Sequence, residues 1–417
     1  MADKVKVLEK CRVLDLSNES GFLCGKIFGD LGADVIQIEK PGGDPSRNLG
    51  TFYKDEPDPE KNLYWFAYNH NKRGITLNIE TRTGADIFKA LIATADILIE
   101  TFPPGFLASL ELDYDDLAKI NPKLVMTSIT PFGRTGPYKD YKAADLVTMA
   151  MSGFMSLLGD PDRPPVRVSV PQSYVWTGMH AAAGTMMAYY HQQRTGQGQH
   201  VDVSAQASLL WACSIAPAFY DLNREVPKRA GGFITGRSIT GAKMRAVVPC
   251  KDGYINYIIY GGPAGIRTNV RMTEWMDENG MAPEGLKNKD WKKFNIAAVS
   301  QEEIDDIETA NVEFLKTRTK KEFFDRVLEK DMLGYPVAMS ADTLNDAQLK
   351  SRELWKQIPH ENLAEPITYP SFFAKFSSMA CDVWRRAPNI GEHNAEIYQE
   401  LGYDRKDLMN LKRAKVI

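Results

Sequence analysis

Across the first 130 residues, short apolar runs alternate with stretches of helical periodicity. CRVLDLS at 11–17 has a strand pattern, ESGFLCGKIFGDLGA at 19–33 a helical one, and DVIQIEK at 34–40 a strand pattern again. GITLNIE at 74–80, a helix from about 82 to 93, DILIE at 96–100 and KLVMTSIT at 123–130 continue the rhythm. Such alternation sets a crossover helix between successive strands, the connection that parallel strands require. The pattern predicts an α/β chain with a parallel, doubly wound sheet, Rossmann-like in layout.

Nothing between the first strand and the first helix matches G-x-G-x-x-G, the pattern that lets a backbone approach a dinucleotide pyrophosphate. Gly21, Gly25 and Gly29 recur instead at four-residue spacing along one helix face. That spacing suits close helix packing and disfavours an ordinary NAD-binding domain. A helical pattern returns at 143–158, followed by the proline-punctuated loop GDPDRPPVRVSVP. A long helix from about 174 to 194 then carries Gly178, Ala181, Ala182, Thr185 and Ala188 on one stripe, open to another backbone.

VDVS at 201–204 starts a further element, and the glycine-rich AGGFITGRSITGA (230–242) leads into GYINYIIYGG (253–262), read as a strand of a separate lobe. Charged helical sequence runs on to about 330. YPVAMSA (335–341), extended connections and APNIGEHNAEIYQELGY (387–403) read as a return to the first domain. The expected division is a large domain over 1–222, a small α+β domain with linkers over 223–330, and the rest of the large domain over 331–417.

Charge and cysteine usage narrow the function. Fifty-one Lys and Arg against 54 Asp and Glu leave a net charge of −3, without a basic face for nucleic acid or an anionic membrane. The short basic runs NKR at 71–73 and KNKDWKK at 287–293 read as solvated faces. Cys11, Cys24, Cys213, Cys250 and Cys381 show no C-x-x-C, and the six histidines no H-E-x-x-H. Neither a disulfide framework nor a zinc site is expected. No run approaches the ~18 apolar residues of a membrane span, and MADKVKVLEK lacks the apolar core of a signal peptide. The reading is of a soluble, metal-free cytoplasmic protein with no nucleic-acid or membrane partner.

Seven stretches in order resemble the class III CoA-transferases. They are VLDLS at 13–17, GDLGADVIQIEKPGGDPSR at 29–47, NKRGITLNIE at 71–80, ADILIETFPPG at 95–105, INPKLVMTSITPFGRTGPY at 120–138, RTGQGQHVDVS at 194–204 and APNIGEHN at 387–394. Each is weak alone; their order along nearly the whole chain makes the resemblance specific. It implies an interlocked-ring dimer, two elongated chains threaded through each other. It also implies covalent catalysis, in which an aspartate attacks the donor thioester, forms a mixed anhydride, becomes an aspartyl-CoA thioester and passes CoA to a second acid. Backbone N–H groups near the glycine-rich loop are expected at the developing oxyanions.

In the family frame the aspartate lies four residues before the glycine of a Gly-Met pair, just after a Val-Pro. Val170-Pro171 and Gly178-Met179 fix both ends here without a gap, and the position holds Tyr174. A phenol titrates near 10 and cannot form the mixed anhydride, so no catalytic residue is expected at 174. Asp145, Asp160 and Asp162 are the carboxylates that could be displaced substitutes. Ala144 stands where racemase relatives carry a histidine. The resemblance further implies a CoA site built from Ser20 and Gly21, Lys40 in place of a phosphate-binding arginine, Leu77 and Asn78, Thr101 and Phe102, and Lys142. Lysine keeps the charge at 40 and loses the bidentate fork. Ser109 replaces another arginine frequent among relatives, which weakens phosphate binding.

The resemblance therefore implies the non-nucleophilic subunit of a heteromeric CoA-transferase, with a homologous partner supplying the aspartate. CoA thioesters would be its substrates, and no cofactor would be permanently bound. Within the family the chain is most similar to the benzylsuccinate branch of anaerobic toluene breakdown, where succinyl-CoA donates to an aryl-substituted succinate. Two alternatives stay open: a homodimeric CoA-thioester-binding regulator, and a homomeric transferase with a displaced carboxylate. Tyr174, followed by Trp176, either fills a vacated pocket or lines an aromatic acyl pocket.

Overall fold

Six strands form one parallel sheet: β1 (Arg12–Leu16), β2 (Asp34–Glu39), β3 (Lys72–Thr76), β4 (Ile97–Glu100), β5 (Val125–Thr130) and β6 (Gln199–Ser204). Their order is β3-β2-β1-β4-β5-β6, every pair parallel, in a computed structural model that describes residues 5–235, 238 and 240–417. Among the helices of the first half are α1 (Phe22–Asp30), α2 (Leu63–Asn69) and α3 (Arg82–Ile92). Then come α4 (Asp145–Met151), α5 (Gln172–Thr195), α6 (Ala205–Ala212) and α7 (Ile215–Asn223).

Both faces of the sheet are covered, as apolar parallel strands require. Leu14, Leu16, Ile36, Ile38, Ile75 and Leu98 pack with Phe88 and Leu91 of α3 and with Ile397 and Tyr398 near the C-terminal end. Val13, Val35, Ile97, Ile99 and Val125 point the other way, onto Cys24 and Phe28 of α1 and Ala181, Ala182 and Ala188 of α5. The small-residue stripe of α5 faces inward over its whole length. Contact with α1 is so close that a Cβ on Gly178 would stand 2.7 Å from the Leu23 Cβ.

The NKR run at 71–73 is buried rather than solvated. Lys72 is 0% exposed and donates to Asp15 Oδ2 at 2.7 Å, Asn69 Oδ1 at 2.9 Å and Gln37 Oε1 at 3.0 Å. Arg73 bridges Asp34, Glu396 and Glu400. A fully buried ammonium is tolerable only with such partners. Strand β3 accordingly begins at Lys72, two residues before the expected start. Beyond it the tail clasps the strand: His393 N–H donates to Gly74 O, Gly74 N–H to His393 Nδ1, and Asn394 bonds to Thr76.

The chain divides into two compact units. One holds the described residues up to Met155, with Arg167–Glu225 and Ala347–Ile417, and contains the six-stranded sheet. The other holds Ser156–Val166 and Val226–Asp346. It has an antiparallel sheet of β7 (Val247–Cys250), β8 (Gly253–Asn256) and β9 (Tyr335–Pro336). This sheet packs with helices Gly262–Glu278, Gln301–Leu315 and Lys320–Lys330 around Tyr257, Trp275, Phe314 and Phe323. The strand expected over 253–262 ends at Asn256. Because Tyr335 and Pro336 pair with Asn256 and Ile255, the YPVAMSA stretch packs in this unit, and the chain rejoins the first unit at Ala347. Of the glycine-rich run at 230–242, Gly236, Arg237 and Ile239 lie outside the described residues. Among the described residues no helix is long and apolar enough to cross a membrane, and no group of three or more His, Cys, Asp or Glu could hold a metal.

Candidate functional site

Successive strands are added to opposite sides of the sheet at β1 and β4, and ligands of open α/β sheets bind outside the carboxyl ends of strands at such a switch point. A cavity of about 490 Å³ lies there, within the larger unit. Asn18, Glu19 and Ser20 reach it from the end of β1, and Thr101 to Pro104 from the end of β4. Ile129, Thr130 and Pro131 close the β5 side. Lys139 to Ala143, Thr148 of α4, and Tyr174 and Thr177 of α5 complete the wall.

The two strand-end loops are tied together. Asn18 N–H donates to Thr101 Oγ1 at 3.0 Å, while its Oδ1 accepts from Ser20 N–H (3.0 Å) and Oγ–H (2.7 Å). Asparagine here closes a local turn through its own side chain. Gly21 leaves no room for a side chain: a Cβ would come within 2.7 Å of both Ser17 Cβ and Thr101 Cγ2. On the β4 side, Glu100 Oε2 accepts from Phe102 N–H at 2.6 Å. Burial pushes the Glu100 carboxyl up to about 7 against the help of Ser128, that amide and Arg134.

Two ionisable groups share the inner wall. Glu19 is half-buried, and burial, reinforced by Asp44, holds its carboxyl above the usual carboxylate range. Tyr174 is half-buried too; burial and then the Glu19 charge raise its phenol. Asp145, 7% exposed, uses Oδ1 to accept both Ser173 N–H and Oγ–H at 2.8 Å, tying α4 to the first turn of α5. Its Oδ2 is buried without a hydrogen-bond partner. At the rim Lys139 pairs with Asp140, while Lys142 is exposed and makes no ion pair among the described residues.

Of the residues singled out in the sequence, the structure brings Ser20, Thr101, Phe102, Lys142 and Tyr174 to this cavity, with Gly21 immediately behind it. Lys40, Leu77 and Asn78 stand apart. Lys40 is exposed and pairs with Glu80 at 2.6 Å, Leu77 is 2% exposed in the core beneath α3, and Asn78 Oδ1 accepts from Glu80 N–H at 3.1 Å. Ser109 is exposed and donates to Phe106 O. Asp160 and Asp162 belong to the other compact unit. Sequence reasoning missed Glu19, Asn18, Tyr141 and Thr148. The first two were within reach of it, because they occupy the same turn as Ser20 and Gly21.

The family model for CoA-transferase family III matches residues 8–394. The chain is 35% identical over 404 residues to the succinyl-CoA:(R)-benzylsuccinate CoA-transferase subunit BbsE of Thauera aromatica, covering 96% of each. It is 32% identical over 434 residues to the formyl-CoA:oxalate CoA-transferase of Streptomyces avermitilis, covering 99% of this chain and 100% of that one. Among solved structures, a CaiB/BaiF family protein from Brucella suis matches with a TM-score of 0.81 at 27% identity, over 96% of this chain and 100% of that one.

Proposed function

The chain belongs to CoA-transferase family III, and from that membership we propose that it is the subunit without the nucleophile in a heteromeric CoA-transferase. Its homologous partner would carry the aspartate, and the pair would move CoA from succinyl-CoA to a dicarboxylic acid such as benzylsuccinate. Tyr174 carries the reading: it lines the cavity at the start of α5, and the resemblance, anchored at Val170-Pro171 and Gly178-Met179, assigns this position to the family aspartate.

In this reading the partner's carboxylate attacks the thioester carbonyl and expels CoA thiolate. The thiolate returns to the aspartyl carbonyl carbon of the mixed anhydride, forming the aspartyl-CoA thioester and releasing succinate, and the acceptor acid then runs the same exchange in reverse. This chain would contribute a CoA-thioester cavity, with Ser20, Thr101, Phe102 and Lys142 on its wall and Lys40, Leu77 and Asn78 further along the strand ends. No permanently bound cofactor is required. Five free cysteines suit a reducing, cytoplasmic setting.

An interlocked pair is the proposed assembly, and the surface supports a protein partner. Trp211 of α6 is 74% exposed and Leu222 of α7 79%, with Ile215, Phe219 and Tyr220 exposed between them. Large apolar side chains exposed on two successive helices are candidates for a protein interface. The open volume beside Tyr174, shared with Phe102 and Tyr141, favours a phenol that lines an acyl pocket over one that plugs it.

The test is expression of the chain alone and together with an aspartate-bearing homologue, followed by gel filtration and a succinyl-CoA exchange assay. Activity confined to the joint complex is expected. Exchange by the lone chain at a comparable rate would overturn the assignment.

A further inference from the structure

Glu19 has no task in the chemistry above. It lines the cavity from the end of β1, as Tyr174 and Lys142 do from other elements. Its carboxyl forms no ion pair and no hydrogen bond to another side chain among the described residues; only its own backbone N–H serves it. The groups around it give no cationic compensation. Asp44 adds a like charge, Tyr64 of α2 donates to its carbonyl oxygen at 3.2 Å, and the Tyr174 phenol and the buried Asp145 come from α5 and α4. Of the rim residues, Lys139 is already paired with Asp140, and Lys142 is exposed.

A half-buried carboxyl without a cation is a poor nucleophile, because attack needs the ionised form that burial disfavours. As an acid it is a good hydrogen-bond donor. The acids in the two relatives' names, benzylsuccinate and oxalate, each carry two carboxyl groups, so their monothioesters keep one free carboxylate. We infer that Glu19 recognises that free carboxylate of a dicarboxylic acyl-CoA by holding one proton between the two carboxyl groups. Two carboxylates in one site cannot both stay ionised, and the shared O–H···O⁻ bond is short and strong. Binding to ionised Glu19 therefore takes up one proton from solvent; binding to the acid form takes up none. The inference rests on the CoA-site reading of this cavity.

The experiment is calorimetry on the full-length chain with two CoA thioethers, one S-carboxypropyl and the other its carboxamide. Both share the CoA phosphates, so those titrations cancel. With the carboxylate analogue, proton uptake approaching one per site is expected above the Glu19 titration, and affinity should fall by up to about tenfold per pH unit. The carboxamide should show neither effect. In Glu19→Gln the difference in slope between the analogues should vanish.

Equal proton uptake by both analogues in the wild type overturns the inference, and that measurement decides even if Glu19→Gln does not fold. A variant that binds the carboxamide yet keeps the wild-type slope for the carboxylate overturns it as well. If neither analogue binds, the CoA-site reading fails and this inference falls with it. If both bind without a pH difference, only the role of Glu19 is lost.

Discussion

Glu100 allows a sharp test of how burial couples to the cavity wall. The side chain is 3% exposed at the end of β4, and its carboxyl holds the N–H of Phe102, which lines the cavity. In the unfolded chain this acid titrates near its ordinary 4.5, and in the folded protein at about 7. Between those values the folded state retains a proton that the unfolded state has released. Stability from this group therefore falls as pH rises through the window and levels off above 7. At about 1.4 kcal/mol per pH unit, the rise amounts to about 3 kcal/mol.

Glu100→Gln mimics the protonated acid: its amide oxygen can still accept from Phe102 N–H, and its NH₂ can reach the Ser128 oxygen. The variant should match the wild type near pH 4.5 and exceed it by about 3 kcal/mol at pH 8. Urea unfolding at a series of pH values gives the difference curve, and hydrogen exchange of a peptide spanning Ile97–Glu100 assigns it to the sheet. The difference is the proper readout, because other carboxylates act oppositely in acid and are common to both proteins. Parallel curves, or a wild type that gains on the variant with rising pH, would refute the account.

Three further outcomes are expected. Lys72→Ala strands Asp15 in a fully buried site and should cost about 3–5 kcal/mol in denaturant unfolding, most of it recovered in Asp15→Asn/Lys72→Met. Gly178→Ala should lower stability, since a Cβ 2.7 Å from Leu23 costs about 1–3 kcal/mol and outweighs about 1 kcal/mol of helix propensity. Gly184→Ala on the same helix, where the nearest atom would be a Val201 methyl at 3.3 Å, should be neutral or stabilising. Tyr174→Asp should give the lone chain measurable CoA exchange or a trappable acyl-enzyme in mass spectrometry; silence in a folded variant would mean the site has lost more than its nucleophile.

The parallel sheet was legible because strands buried on both faces are mostly apolar: Ile97–Ile99 is wholly so, and Val13–Leu16 and Val35–Ile38 carry one polar residue each, Asp15 and Gln37. The small-residue stripe of α5 was legible because only close packing explains five such residues on one face. Buried charge was not. Lys72 and Arg73 read as surface because their partners Asp15 and Asp34 arrive from 57 and 39 residues away. The placement of 335–341 was hidden for a similar reason, since two ladder pairs with Ile255 and Asn256 outweigh local pattern. At the site, the turn at Ser20 and Gly21 was reached through the family resemblance rather than through local pattern. Glu19 beside it was not singled out, because only its place on a cavity wall distinguishes it.

A carboxylate that replaces the family aspartate would have to be ionised, unencumbered and within reach of a thioester. Asp140 is held by Lys139, Glu19 is biased toward its acid form, and Asp145, buried at the start of α4, is the remaining contender. Asp145 already spends Oδ1 on both donors of Ser173, so any swing toward substrate would release the first turn of α5, on which Tyr174 sits. Asp145→Asn separates brace from nucleophile, since an amide oxygen can still accept from Ser173 N–H and Oγ–H. For a brace, Asp145→Asn should stay within about 1 kcal/mol of wild type, while Asp145→Ala, which abandons both bonds, should lose about 2–3 kcal/mol. Activity of the joint complex should then follow the stability order. Loss of all exchange in a stable Asp145→Asn complex would instead identify Asp145 as the attacking group and remove the need for a partner's aspartate.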